Sequence, residues 1–308
     1  MGPFPHDAPK ATISDINPAG TDGFEFVEFA HPDPQVLDRI FRQMGFAPVA
    51  RHRIRDITLY RQGDINYLLN ADPDSHAAGF VAEHGPCAPA MAWRVVDAQV
   101  ALRRALDLGA TEYTGPGKSI EAPAVHGIGG SLLYFIDRYG EAGSAYDADY
   151  DWLGEANPRP QGFGFYYLDH LTHNVIRGNM DTWYKFYHDT FNFREIKYFD
   201  IKGKQTGLVS RALTSPDGKI RIPINESTDD HSQIEEYLRE YKGEGIQHIA
   251  IATEDIYAGT DRIAAALDER ARQQAALTED AVHDLHVGRR AGGAGGPIQA
   301  GADHALDA

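Results

Sequence analysis

The chain has a single cysteine, Cys87, among its 308 residues, and it is poor in basic side chains. One cysteine excludes a disulfide bond within the chain and is typical of a protein from a reducing cytoplasm. The 29 lysines and arginines stand against 45 aspartates and glutamates, which gives a formal net charge of −16. Nucleic acids and anionic membrane surfaces carry the same sign of charge, so we expect the protein to bind neither.

Long apolar runs are also missing from the chain. No stretch approaches the roughly 20 apolar residues that a membrane-spanning helix requires. The first residues, Met-Gly-Pro-Phe-Pro-His-Asp, contain neither the basic flank nor the apolar core of a signal peptide. These absences favour a cytoplasmic protein, and the chain is long enough to form two domains.

The pattern of apolar residues indicates an internal duplication. A predicted strand over 24–29 precedes a helix with apolar residues at helical spacing, and further strands follow. The same order recurs in the second half, which begins with a predicted strand over 165–173. This repeat predicts an α+β fold of two tandem modules built from βαβββ repeats. The expected parts are an N-terminal arm over 1–20, a first module over 21–150 and a second module over 160–270.

Two histidines of the second half, His170 and His248, each lie in the middle of an apolar, strand-like stretch. A buried imidazole costs free energy unless it gains a partner, and a divalent metal such as Fe(II) or Zn(II) is one such partner. The residues alone leave open a hydrogen-bonded pair of core histidines. His173 should face away from His170, because strand side chains alternate, and we interpret it as structural. The first half has Glu28 and Met91 at the aligned positions, so a metal would bind only to the second half.

The last part of the chain departs from the repeat. Residues 271–308 contain no phenylalanine, tyrosine or tryptophan, and the run over 291–297 favours neither strand nor helix. The first half has a last predicted strand over 132–137, for which the second half shows no counterpart. We therefore expect the second module to be incomplete at its C-terminal end. The tail is expected to be disordered, and its composition is that of GC-rich DNA read out of frame.

Four short motifs occur in one order on this duplicated framework. They are Asp169-His170-Leu171-Thr172-His173-Asn174-Val175, Arg221-Ile222-Pro223-Ile224-Asn225-Glu226, Ser232-Gln233-Ile234-Glu235-Glu236-Tyr237-Leu238 and Gly245-Ile246-Gln247-His248-Ile249-Ala250. Together they strongly resemble the bacterial 4-hydroxyphenylpyruvate dioxygenase family, whose members have the vicinal oxygen chelate fold. The resemblance extends from about residue 20 to about residue 270.

The resemblance implies an iron site and a substrate pocket. It implies that His170 and His248 bind Fe(II). It also implies that Ser210, Asn225 and Gln233 face the aromatic end of the substrate, with Gln247 in the same polar network. Gln247 directly precedes His248 and should point to the opposite face unless the strand is irregular.

The resemblance further implies a reaction and its partners. The small-molecule substrate 4-hydroxyphenylpyruvate and O2 would give homogentisate and CO2, a step of tyrosine and phenylalanine catabolism. A homo-oligomer is compatible with this family. Two alternatives remain, namely hydroxymandelate synthase, which uses the same substrate, and a non-catalytic binding protein of the same fold. The stretch over 223–226 favours the dioxygenase.

One feature of the family has no match in the sequence. The third iron ligand of the family is a glutamate in an aromatic-rich last strand, and no such strand follows residue 270. The carboxylates and histidines of the tail stand in no strand-like context: Glu279, Asp280, Asp284, Asp303, Asp307, His283 and His286. We therefore expect this chain to bind Fe(II) weakly and to have little dioxygenase activity.

Overall fold

The computed structural model describes residues 8–202 and 207–268. The chain divides into two compact units, Met1–Thr260 and Asp261–Ala308. The first unit contains the predicted first module and most of the predicted second module. The described residues of the second unit, 261–268, are helical. The predicted tail over 271–308 lies outside the described residues.

The first half forms an eight-stranded sheet. Its elements are β1 (Thr21–Ala30), α1 (Pro34–Gln43), β2 (Ala47–His52), β3 (Ile57–Gln62), β4 (Ile65–Asn70), α2 (His76–His84), β5 (Cys87–Val95), α3 (Ala98–Asp107), β6 (Ala124–His126), β7 (Leu132–Ile136) and β8 (Tyr150–Trp152). The strand order is β6-β7-β5-β1-β4-β3-β2-β8. Three short 3-10 turns lie in the loops, at Ile128–Gly130, Gly140–Ala142 and Ala145–Asp147.

The second half forms a five-stranded sheet. Its elements are β9 (Phe165–Val175), α4 (Met180–Phe191), β10 (Arg194–Lys202), β11 (Gly207–Thr214), β12 (Arg221–Ser227), α5 (Gln233–Tyr241) and β13 (Gly245–Thr253). The strand order is β10-β11-β12-β9-β13.

The two sheets have the same internal order. In the first sheet β5-β1-β4-β3-β2 are neighbours, and in the second sheet β13-β9-β12-β11-β10 are neighbours. The central pair is parallel in both cases, β1 with β4 and β9 with β12. The α+β fold with two related sheets that the sequence predicted is therefore confirmed. The sheets differ at both edges, because β5 pairs with β7 and β2 pairs with β8, whereas β13 and β10 are the edge strands of the second sheet among the described residues.

Polar residues fix where four of the helices begin. The side chains of the N-cap residues accept hydrogen bonds from backbone N–H groups of the first turn: Asp33 for α1, Ser75 for α2, Asp97 for α3 and Ser232 for α5. Each such cap contributes roughly 1 kcal/mol to helix stability. The helices α4 and α5 both end at a left-handed residue, Asn192 and Lys242.

An aromatic cluster joins the two halves within the first unit. Trp93 of β5 is fully buried and stacks on Phe193, with 5.2 Å between the ring centroids. Phe191 of α4 meets the same indole edge-on at 5.0 Å. A second close contact lies at Gly129, whose φ is +58° and whose backbone approaches Glu244 so closely that a Cβ atom would collide with it. The second half of this unit therefore packs closely against the first half.

Glu28 is a buried carboxyl group in the first sheet. It accepts hydrogen bonds from Asn70 Nδ2 at 2.7 Å and from the Ser119 hydroxyl. Burial raises the pKa of Glu28 above its ordinary value of 4.5, and these hydrogen bonds oppose that shift without cancelling it. The first half therefore has a self-contained hydrogen-bonded cluster where the sequence alignment places His170 in the second half.

This shift makes a pH-dependent prediction for Glu28→Gln. A carboxyl group whose pKa is raised on folding favours the folded state while it is protonated. Its contribution to stability is complete below pH 4.5 and is lost as the pH rises through the folded-state pKa. The glutamine variant has no such loss. We expect the melting temperature of the variant, relative to the wild type, to increase between pH 5 and pH 8. Thermal unfolding at several pH values measures this, and a constant difference would contradict the prediction.

Candidate metal centre

The structure brings His170 and His248 together on adjacent strands. β13 pairs antiparallel with β9, and the Nε2 atoms of the two imidazoles are 3.1 Å apart. The rings meet edge-to-face, with 5.3 Å between their centroids. The Thr172 hydroxyl lies 2.9 Å from His248 Nε2 on the same face of the sheet. The two nitrogens therefore converge on one point above β9 and β13.

Two β-bulges place the residue before each histidine beside it. The β9–β13 register passes from Ile246–His173 to His248–Thr172, so Gln247 is an extra residue in β13. Likewise, Asp169 is an extra residue in β9, because the register passes from Ala250–His170 to Ile251–Leu168. A bulge bends its strand and redirects a side chain. The irregularity that Gln247 requires to share a face with His248 is therefore present.

Each histidine is held by the residue that precedes it. Asp169 Oδ2 lies 2.7 Å from His170 Nδ1, and Gln247 Oε1 lies 3.1 Å from His248 Nδ1. Arg221 in turn donates a hydrogen bond to Asp169 Oδ1 at 2.7 Å. Acceptors at both Nδ1 atoms favour the tautomer that leaves Nε2 free, which is the arrangement that metal-binding histidines have.

The charges around the pair favour an ionised Asp169 and a neutral His248. Burial opposes ionisation of Asp169, but the hydrogen bond with His170 and the charge of Arg221 outweigh it and lower the pKa of Asp169. Burial, and then the nearby His170, lower the pKa of His248 below 6.5. Metal binding requires a neutral imidazole. The electrostatics of the site therefore favour the ligand form of His248.

The separation of the two nitrogens fits a shared metal ion. Ligands about 2.1 Å from one ion at roughly a right angle are about 3 Å apart. Imidazole nitrogen is a suitable ligand for iron, zinc and copper. Within residues 8–202 and 207–268, no cluster of three or more His, Cys, Asp or Glu side chains could hold a metal ion. The tail carboxylates considered above, such as Glu279, lie outside the described residues.

A cavity of about 490 Å³ opens beside His248. Three of the four predicted substrate-contacting residues line it, namely Asn225, Gln233 and Gln247. They come from β12, from the first turn of α5 and from β13. The remaining lining residues are Asn174, Gly207, Leu208, His231, Ser232, Ile234 and His248.

Ser210 lies beside this cavity rather than on its wall. It is directly opposite Asn225 in the β11–β12 register and is 8% exposed. The described residues that line the cavity include neither Ser210 nor His170. Ser210 therefore lies next to Asn225 on the neighbouring strand. His170 is connected to the cavity through its contact with His248.

The sequence indicated a structural role for His173 and gave no sign of the roles of Asp169, Arg221 and Asn174. His173 faces the opposite side of β9, where it is fully buried and contacts the Tyr187 hydroxyl at 2.7 Å. Asp169, Arg221 and Asn174 were present in the family-like motifs but received no role. Their proximity to the histidines depends on the bulge in β9 and on strand pairing, which the local pattern does not reveal.

Comparison with known proteins identifies the family. Residues 16–151 match the model for the N-terminal part of hydroxyphenylpyruvate dioxygenase. Residues 167–271 match the glyoxalase, bleomycin resistance protein and dioxygenase superfamily. A 4-hydroxyphenylpyruvate dioxygenase of Pseudomonas aeruginosa is 52% identical over 254 residues, which cover 80% of this chain and 71% of that protein. The chain belongs to the 4-hydroxyphenylpyruvate dioxygenase family.

Two further proteins are similar to the chain. Hemolysin VllY of Vibrio vulnificus is 58% identical over 253 residues, which cover 80% of this chain and 70% of that protein. A solved fusion of a xylose isomerase-like TIM barrel with 4-hydroxyphenylpyruvate dioxygenase is 33% identical, with a TM-score of 0.67. The match covers 84% of this chain and 39% of that chain. The vicinal oxygen chelate fold that the sequence predicted is confirmed.

Membership in this family bears on the cofactor and on the substrate. Dioxygenases of this family depend on iron, and they act on a small molecule together with O2. Among the residues that the structure describes, no helix is both long and apolar enough to cross a membrane.

Proposed function

We propose that the chain is an iron-dependent 4-hydroxyphenylpyruvate dioxygenase whose Fe(II) is held by His170 and His248. The reaction converts 4-hydroxyphenylpyruvate and O2 into homogentisate and CO2. The observation that carries this proposal is the pair of Nε2 atoms 3.1 Å apart, with both Nδ1 atoms engaged, at the mouth of a cavity lined by amides. A cytoplasmic location and the possibility of self-association are parts of the same proposal.

The chain's own residues have distinct tasks in this proposal. Asp169, fixed by Arg221, orients His170, and Gln247 orients His248. Such supporting hydrogen bonds typically change metal affinity or activity by about 10–100-fold when removed. Iron, when bound, supplies a template for the 2-oxo acid and activates O2.

The polar wall of the cavity binds the other end of the substrate. Asn225, Gln233 and Gln247 present amides from three different elements, and Ser210 lies beside Asn225 on the neighbouring strand. Leu208 and Ile234 add apolar surface for an aromatic ring. An apolar cleft with a few fixed polar groups is the usual form of a small-molecule site. The ring is thereby held away from water with its hydroxyl group facing the amides.

We expect weak iron binding and little turnover from this chain. The described residues bring two imidazoles to the ion and no carboxylate ligand. Fewer negative ligands leave the ion less tightly bound. Measurements of metal and substrate binding therefore test the site more sensitively than measurements of turnover.

The test combines binding with turnover. Purified protein is loaded anaerobically with Fe(II), and 4-hydroxyphenylpyruvate binding is measured by calorimetry, followed by assays of homogentisate formation and oxygen uptake. We expect 4-hydroxyphenylpyruvate binding that requires the metal, with slow turnover. Absence of metal-dependent binding would contradict the proposed site. Turnover equal to that of a longer family member would contradict the expected impairment alone.

A further inference from the structure

Asn174 is a buried amide whose oxygen has no hydrogen-bond partner. The residue is 2% exposed, and its Oδ1 has no partner within the described part of the chain. The other buried asparagines use both ends of their amides: Asn17, Asn66 and Asn70. A buried acceptor without a partner costs about 1–3 kcal/mol, so its presence requires an explanation.

The unpartnered amide borders the candidate substrate cavity. Asn174 is on β9, two and four residues beyond Thr172 and His170, so the three side chains lie on one face of the strand. Its neighbours in register are Asn225 on β12 and Gly245 on β13. The rings of Tyr237 and Tyr241 occupy the space beside Gly245. Asn174 lines the cavity together with Asn225 and Gln247.

The hydrogen bonds already made by Gln247 limit what it can offer a ligand. Its Oε1 lies 3.1 Å from His248 Nδ1 and is engaged there. The free end of Gln247 is therefore its NH2 group, which can only donate. A ligand hydroxyl group donates one hydrogen bond and accepts up to two. Donation by that hydroxyl needs a separate acceptor in the wall. Asn174 Oδ1 is a buried acceptor with no partner among the described residues, whereas Asn225 and Gln233 are more exposed to water.

The spacing along β9 suits a ligand with two polar ends. Four residues of strand between His170 and Asn174 span roughly 13 Å. A 2-oxo acid bound at the two histidines would direct a six-membered ring along this length, with its para position towards Asn174. The partner of the unpaired amide is therefore a group that donates a hydrogen bond from the far end of the ring.

We propose that Asn174 is a specificity-determining residue that accepts a hydrogen bond from the para-hydroxyl group of the substrate. This inference rests on the proposed function, since it concerns the same cavity. It assigns to Asn174 the selection of phenols over rings that lack a hydroxyl group. The unsatisfied oxygen lowers the stability of the ligand-free protein and becomes satisfied when the substrate binds.

The test compares two ligands that differ by one oxygen atom. Dissociation constants of 4-hydroxyphenylpyruvate and phenylpyruvate are measured anaerobically on Co(II)-loaded protein, for the wild type and for Asn174→Leu. We expect the wild type to prefer the phenol by about tenfold, the effect of one well-made hydrogen bond. Asn174→Leu should lose this preference by weakening the binding of 4-hydroxyphenylpyruvate alone.

Two further variants separate recognition from structure. Asn174→Asp keeps an acceptor oxygen and should retain the preference. Asn70→Leu removes an amide that is hydrogen-bonded to Glu28, so it should lower the melting temperature and leave the preference unchanged. Asn174→Leu should melt no lower than the wild type, because it removes an unsatisfied group.

The possible failures are distinguishable. A wild type that binds neither 2-oxo acid would overturn the proposed function and this inference with it. A wild type that prefers the phenol, with the same preference in Asn174→Leu, would overturn this inference alone and leave the proposed function standing. Equal weakening of both ligands in Asn174→Leu would identify a purely structural residue and would also overturn the inference.

Discussion

Replacing His248 with alanine is expected to lower the affinity of the protein for Co(II) or Fe(II) about 100-fold or more. Its Nε2 lies 3.1 Å from that of His170, and the variant leaves a single imidazole at the site. Changes to groups that only support a ligand typically cost about 10–100-fold, so loss of a ligand should cost at least as much. Titration with Co(II), followed by its visible absorption, measures the change.

A matched control is available on α4. His188 is half-exposed, and its side chain hydrogen-bonds to its neighbour Asp189 and stacks on the ring of Tyr184. His188→Ala should bind Co(II) as the wild type does. If His248→Ala and His188→Ala retained equal affinity, the metal would have to bind elsewhere in the chain.

Replacing Trp93 with alanine is expected to lower the free energy of unfolding by about 3–5 kcal/mol. Its indole is fully buried and contacts Tyr187, Phe191 and Phe193 of the second half. Truncation would leave a cavity where the two halves meet. Since the total stability of a folded protein is commonly about 5–15 kcal/mol, this loss is a large fraction of it. Urea unfolding followed by circular dichroism measures the effect.

Two variants calibrate the tryptophan result. Trp93→Phe should cost much less, because it keeps a ring in the cluster and because Trp93 Nε1 has no hydrogen-bond partner among the described residues. Trp152→Ala, at a partly exposed position in β8, should cost less than Trp93→Ala. Equal losses for both alanine variants would mean that the Trp93 cluster does not hold the halves together.

The pairing of the two histidine strands could be predicted from the sequence. The duplicated order of strands and helices implied that the strands of His170 and His248 are equivalent to β1 and β5, which are neighbours in the first sheet. Apolar residues around each histidine also implied an ordered strand rather than a loop. The topology and the approximate position of the site were therefore accessible without coordinates.

The bulges at Asp169 and Gln247 could not be predicted in the same way. Strict alternation places Gln247 on the face opposite His248, because a regular strand has a period of two residues. A bulge is a property of two paired strands, in which one has an additional residue relative to its partner. The sequence of one strand does not show how many residues its partner has over the same length. The hydrogen bond from each histidine to its preceding residue therefore became visible only in the paired sheet.

Two helices, α2 and α5, were not predicted, although signals for both were present. Ser232 followed by Glu235 has the spacing of a helix-capping motif, and the Ser232 side chain accepts a hydrogen bond from the Glu235 backbone. Ser75 caps α2 in the same way through Ala78. Both helices are nine residues long, and so short an apolar stripe is easily missed.

The bulges have a consequence for how such a site can arise and be lost. At each bulge one residue is added to a strand while the register of the remaining pairs continues on either side. Inserting a single codon into a gene for an ordinary β-sheet can therefore add a supporting residue directly beside an existing histidine. Deleting Gln247 would reverse this step and leave the rest of β13 paired as before. Single-residue insertions and deletions, rather than substitutions alone, are thus a short mutational route between a plain sheet and a metal-binding one.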